Sequence, residues 1–207
     1  MKTGVLSDDQ INDLLAQGAI TATAPVEPGQ VQPASLDLRL GDRAYRVRAS
    51  FLTGKNQTVA ARLDQFKMHE IDLTDGAVLE KNCVYVVPLM EGLSLPQGMT
   101  AAASAKSSTG RLDLLTRIIT DNGVEFDRVP EGYSGPLYVE ICPRSFSVLV
   151  RPGLMLNQII FRNGKTLMSD DELRALHADT PIVNGDAVIE DGLGFSVDLK
   201  PTEGTLV

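Results

Sequence analysis

Hydrophobic residues change their spacing early in the chain. Between Ser7 and Gly18, Ile11, Leu14 and Leu15 recur at helical intervals. Ser7 suits the N-cap, Gln10 completes a capping box, and Asp8 and Asp9 favour the positive end of the dipole; Gly18 ends the helix. Thr21 to Pro33 is polar and carries three prolines, which reads as a loop or extended arm. From Ala34 the period becomes two, with Leu36, Leu38 and Leu40 facing one way and Ser35, Asp37 and Arg39 the other. The same reasoning predicts strands at Ala44–Arg48, Glu70–Leu73, Cys83–Leu89, Met99–Ala105, Leu137–Ile141, Ser147–Val150 and Leu156–Arg162. Arg48 to Gln65 has no firm period and reads as a long excursion, and Ser107–Leu112 as one helical turn. Short strands without long intervening helices predict an all-β, antiparallel sandwich or barrel behind a short N-terminal helix.

The opening pattern returns near the end of the chain. Leu6-Ser7-Asp8-Asp9-Gln10-Ile11 is echoed by Met168-Ser169-Asp170-Asp171-Glu172-Leu173, 162 positions later. Ser35-Leu36-Asp37-Leu38-Arg39 is echoed by Ser196-Val197-Asp198-Leu199-Lys200, 161 positions later. Two matches in the same order at nearly one offset indicate a tandem duplication. Residues 1–165 are then one domain, and residues 166–207 the start of a second copy, cut short; the chain is expected to be the front part of a longer protein.

Composition narrows the chemistry. The 207 residues carry a net charge of −8, which disfavours nucleic acid or an anionic membrane as the main partner, although a local basic pocket can still hold a small anion. Two cysteines, Cys83 and Cys142, and two histidines, His69 and His177, lie too far apart in sequence for zinc-ligand spacing. Lone cysteines, no signal-peptide pattern at the start and no apolar run long enough for a membrane helix predict a cytoplasmic protein without a membrane anchor.

Lys106-Ser107-Ser108-Thr109-Gly110-Arg111 gathers cations, hydroxyls and successive backbone N–H groups at a helix start. That composition suits a phosphate cradle, and equally a polar turn capping a short helix. Glu140 lies in the apolar strand Leu137–Ile141 on the face of Tyr138; by residue type it is either solvent-facing, the commoner case, or held for a purpose. Gln158 reads as a polar residue on the outer face of a strand, and Tyr133 as a turn tyrosine. Four stretches in order are Gln32–Gly41, Lys106–Leu112, Glu131–Gly135 leading to Tyr138-Val139-Glu140, and Arg151–Phe161. Together they resemble the dCTP deaminase family, relatives of the trimeric dUTP pyrophosphatases, over about residues 32–162.

The resemblance implies a distorted jelly-roll, dUTP pyrophosphatase-like barrel that forms trimers with sites between subunits. It implies hydrolysis of dCTP to dUTP and ammonia without a protein-bound metal, Mg2+ arriving with the triphosphate and zinc playing no part. Glu140 would be general base and acid, Arg111 would hold it ionised, and Ser107 would aim the water. Lys106 and Ser108 would meet the triphosphate, with Thr109, Gly110, Tyr138, Val139 and Gln158 completing the substrate contacts.

The chain also departs from the family. Pro130 stands where an Asp usually precedes the Gly-aromatic pair, unless Glu131 or Asp127 replaces it. Asn122–Arg128 is longer than usual, and after Phe161 the repeat begins where members carry a closing tail. Pro130 disfavours dUTP hydrolysis, and it leaves a non-catalytic structural or nucleotide-binding copy as the alternative to a deaminase.

Overall fold

A computed structural model of the chain describes residues 3–197 and divides it into two units, residues 1–165 and 166–207. The first unit begins with β1 (Gly4–Val5), α1 (Asp8–Ala16), β2 (Ile20–Ala22), β3 (Val31–Gln32), β4 (Ser35–Arg39) and β5 (Arg43–Val47). After α2 (Val59–Phe66) come β6 (Lys67–Asp72), β7 (Ala77–Leu79), β8 (Val84–Ser94) and β9 (Met99–Ala105). Beyond α3 (Ser107–Arg111) follow β10 (Leu114–Thr120), β11 (Arg128–Val129), β12 (Ser134–Pro143), β13 (Val148–Val150) and β14 (Met155–Asn163).

Two antiparallel sheets and a small pair make up the β structure. Sheet I runs β11-β9-β14-β4-β3, with β1 on β14; sheet II runs β10-β12-β8-β5-β6, with β2 on β8; β13 pairs with β7. The expected all-β class therefore holds, and so does the short N-terminal helix. Leu36, Leu38, Leu40, Ile159 and Phe161 from sheet I meet Val87, Ile118, Leu137, Val139 and Ile141 from sheet II in the main core. α1 adds Ile11 and Leu14 from the predicted stripe, and its Ser7–Gln10 capping box is formed. At the end of β4 the backbone passes so close to β8 that a Cβ on Gly41 would lie 2.8 Å from the Pro88 carbonyl oxygen, so only glycine fits.

The excursion after β5 folds back over the outer face of sheet II. Its Phe51, Val59 and Leu63 form a second core with Val47, Val86 and Ile119, against which Phe66, Phe126 and Tyr138 pack. The Val59 N–H donates to Asp121 Oδ1 at 2.7 Å, Thr53 Oγ1 to the Thr120 carbonyl at 3.1 Å, and the Gly54 N–H to the Gly123 carbonyl at 2.9 Å. Sheet II is thus covered on both sides around Val47, Val86 and Ile119. This is why β10, Leu-Leu-Thr-Arg-Ile-Ile-Thr, escapes a period-two reading: Ile118 enters the main core and Ile119 the second.

The polar arm before β4 is fastened by a buried charge. Arg39 and Glu91 are each 1% exposed, with Arg39 Nε donating to Glu91 Oε1 at 2.8 Å and the Arg39 backbone N–H to Oε2 at 2.8 Å. Arg39 also donates to the carbonyls of Ala24 and Pro25, and Gln30 Nε2 donates to Glu91 Oε1 at 2.8 Å. With Glu91, the arm's carbonyls give each guanidinium nitrogen an acceptor, which is what makes burial of the pair tolerable.

The second unit contains α4 (Asp170–Asp179), whose Ser169–Glu172 capping box repeats the arrangement of Ser7 and Gln10. Unlike α1, α4 buries none of its residues. Of the second repeated stretch, Asp198, Leu199 and Lys200 lie outside the described residues.

Arg39→Met strands the Glu91 carboxylate and is expected to destabilise residues 1–165 by about 3–5 kcal/mol. Arg43→Met removes the exposed pair with Glu70 and is expected to leave the unfolding midpoint close to the parent's. Urea unfolding of the full chain separates the two outcomes.

Candidate active site

Glu140 lies at the middle of β12, with Arg117 of β10 directly opposite on one side and Val86 of β8 on the other. Leu137, Val139 and Ile141 point into the main core, leaving Tyr138 and Glu140 on the face that the excursion covers. Glu140 is therefore 2% exposed, which corrects the solvent-facing reading: its face is a second interior.

The charge beside Glu140 within the chain comes from Arg117, not from Arg111. Arg117 Nε and Nη2 lie 3.1 and 2.5 Å from Glu140 Oε1. The guanidinium carbon sits 3.8 Å from the centre of the Phe126 ring, and Nη2 also donates to Ser50 Oγ at 3.0 Å. Glu140 Oε2 is buried with no hydrogen-bond partner among the described residues. Sequence reasoning missed Arg117 because it missed β10; a strand antiparallel to Leu137–Ile141 would have pointed to it.

The Lys106–Arg111 cradle forms α3 at the end of β9. Lys106 Nζ is ion-paired with Asp37, a carboxylate 3% exposed whose Oδ1 is buried without a partner among the described residues. Thr109 is buried and its hydroxyl donates to the Leu156 carbonyl at 2.8 Å, so this hydroxyl serves the fold. Gly110 N–H closes the turn on the Lys106 carbonyl at 3.0 Å. Ser107, Ser108 and Arg111 are exposed, and none has a side-chain hydrogen bond or ion pair among the described residues. A cavity of about 370 Å³ lies beside α3, lined by Ala105, Gly110, Asp113, Thr116 and Arg144 among others.

The remaining candidates are spread over both sheets. Tyr138 shares the face of Glu140, and burial pushes its phenol up. Val139 packs in the main core, so its side chain points away from that face. Gln158 is half-buried on β14, level with Asp37 on β4 and Ser104 on β9, and its Nε2 lies 3.5 Å from Ser104 Oγ. Tyr133 is a turn tyrosine: its buried hydroxyl donates to the Pro136 carbonyl at 2.7 Å and accepts from the Asp121 N–H at 3.2 Å, and burial pushes its pKa up to about 12. Cys83 and Cys142 are free, with Arg46 Nη2 3.0 Å from the Cys83 sulfur; His177 Nδ1 accepts the Ile182 N–H.

Neither acidic residue near Pro130 is idle. Glu131 accepts the Gly98 N–H at 2.8 Å. Asp127, at φ 61°, accepts the Ile118 N–H at 2.7 Å through its carboxylate. Desolvation raises its pKa, against the opposing effects of that hydrogen bond and of Arg117. A raised carboxyl pKa stabilises the fold at acid pH and loses that contribution as pH climbs through the folded-state value. Asp127→Asn keeps an acceptor and tolerates the left-handed backbone. It is therefore expected to raise stability relative to the parent at pH 7, with the difference vanishing below about pH 4, the ordinary carboxylate range, in denaturation curves across pH.

A family model for the 2'-deoxycytidine 5'-triphosphate deaminase (DCD) N-terminal domain matches residues 2–165. A Methanosphaerula palustris protein named dCTP deaminase, dUMP-forming, is 28% identical over 165 residues, covering 76% of this chain and 80% of its own. A Halorubrum lacusprofundi protein named dCTP deaminase is 29% identical over 170 residues, covering 78% of each. The crystal structure of 2'-deoxycytidine 5'-triphosphate deaminase from Agrobacterium tumefaciens is 53% identical with a TM-score of 0.81. That match covers 87% of this chain but spans only 55% of the Agrobacterium one. No helix among the described residues is long and apolar enough to cross a membrane. With four motifs in family order on a two-sheet antiparallel fold, and a family model spanning most of the chain, this chain belongs to the 2'-deoxycytidine 5'-triphosphate deaminase family.

Proposed function

We propose that the chain hydrolyses dCTP to dUTP and ammonia, with Glu140 as general base and acid. The observation that carries this reading is the state of Glu140: one carboxylate oxygen is clamped by Arg117, and the other is buried without a partner among the described residues. A buried acceptor without a partner is costly in a structural residue and useful in one that must take a proton. Glu140 Oε2 takes a proton from water as the water oxygen bonds to C4 of cytosine, and passes that proton to N3. It then takes the proton of the new C4 hydroxyl and delivers it to the amino group, so that the C4–N bond breaks and ammonia leaves. Water is consumed, and no electrons leave or enter.

Ser107, Ser108 and Arg111 supply exposed hydroxyls and a cation without side-chain partners among the described residues, which suits a bound nucleotide. Among the described residues none of them hydrogen-bonds to Glu140. This supports a homotrimer in which α3 of one copy reaches the site of another on the side where Arg117, 31% exposed, opens it to solvent, with Ser107 aiming the water and Arg111 beside the reaction centre. Lys106, already paired with Asp37, meets the triphosphate alongside Ser108 and Gln158, while the Gly110 backbone and Tyr138 complete the pocket. Mg2+ enters with the triphosphate as part of the substrate, in keeping with its preference for phosphate oxygens and water.

A second reading follows from Glu140 itself: a carboxylate 2% exposed also fits a copy that binds nucleotide or supports assembly without turnover. The dUMP-forming activity named for several relatives is a third outcome, which Pro130 disfavours. Product analysis of dCTP with Mg2+ decides among them. Equimolar dUTP and ammonia are expected, with loss of at least about 100-fold in rate for Glu140→Gln, the usual scale of a general base. Nucleotide binding without product by the folded parent selects the non-catalytic copy, and dUMP with pyrophosphate selects the third outcome.

A further inference from the structure

We propose that Arg117 is the positioning residue of the site, holding Glu140 so that a single oxygen faces the reacting water; this rests on Glu140 being the base. An arginine beside a carboxylate usually forms a fork, one N–H to each oxygen. Here Nε and Nη2 converge on Oε1, at 3.1 and 2.5 Å, and leave Oε2 bare in a buried setting. A fork would engage both oxygens, whereas the observed arrangement leaves one of them wholly free to accept a proton.

The guanidinium is itself held from three directions. β10 places Arg117 in register with Glu140, the Phe126 ring covers its face at 3.8 Å, and Ser50 accepts from Nη2 at 3.0 Å. Phe126 and Ser50 come from different segments, one from the Asn122–Arg128 stretch that is longer than the family norm and one from the excursion after β5. The two segments are stitched together by Thr53 and Gly54, which donate to the Gly123 carbonyl, and by the Gln57 carbonyl, which accepts the Asn122 N–H. The excursion therefore does more than cover sheet II: it sets the plane of the guanidinium, and through it the aim of Glu140. A lysine at this position would retain charge, but its point-like ammonium on a flexible stem cannot reproduce two planar donors meeting one oxygen.

The test uses the full chain with its Mg2+–dCTP substrate and compares the parent with Arg117→Lys, Arg117→Gln and Glu140→Gln. Circular dichroism establishes that each is folded, and the lysine variant keeps the test open should Arg117→Gln fail to fold. Expected is a fall in kcat of about 100-fold for Arg117→Gln with KM for dCTP within threefold, a smaller fall for Arg117→Lys, and partial recovery of Arg117→Gln by added guanidinium. A carboxyl 13C resonance of Glu140, assigned by its loss in Glu140→Gln, is expected to move in both Arg117 variants. Parent-like kcat in the Arg117 variants, with Glu140→Gln inactive, overturns the positioning role and leaves the base standing. A folded parent without turnover overturns the base, and the positioning role with it.

Discussion

Burial of sheet II on both faces is the constraint on which the rest of this structure depends. One face meets sheet I across the main core; the other is covered by the excursion carrying Phe51, Val59 and Leu63. An antiparallel sheet with one wet face would present Glu140 to solvent, where an arginine opposite would add little. With the excursion over it, the buried carboxylate needs a partner, and the register of β10 against β12 provides Arg117, which itself reaches solvent. Removing bulk water from the carboxylate strengthens that contact and lowers the freedom of the oxygen left over.

Sheet I solves a similar problem with charge. Asp37 and Arg39 point away from the leucines of β4, as alternation requires, yet both are buried. Each has found an opposite charge from a distant segment, Lys106 for Asp37 and Glu91 for Arg39. The first pair ties β4 to the start of α3, the element proposed to hold phosphate. The second ties it to β8 and, through Gln30 and the carbonyls of Ala24 and Pro25, to the arm. A single five-residue strand thus links the proline-rich arm, the central strand of sheet II and the candidate phosphate cradle.

The two helices that open with a capping box show how equal local signals can meet different surroundings. Ser7–Gln10 and Ser169–Glu172 form the same reciprocal hydrogen bonds, but α1 buries Ile11 and Leu14 whereas α4 buries nothing. Capping is a matter of a few adjacent residues. Burial requires a surface to pack on, and a repeated helix signal does not bring one with it.

Much of the architecture was legible in the sequence because it rests on neighbours along the chain. Period-two leucines located β4, the Met99–Ala105 strand agrees end to end, and the Ser7 and Ser169 caps follow from residues three apart. The order of motifs identified the family, and with it Glu140 and the Lys106–Arg111 element as candidates. Tertiary structure alone decided what those residues face. β10 was hidden because two buried faces erase alternation; Arg117 was hidden with it; and the burial of Glu140 depends on an excursion whose apolar residues follow no period. Thr109 and Val139 were drawn into the fold because their strands and turns had interiors to fill. Local periodicity records which way a side chain points, while the partner waiting there comes from chain many residues away.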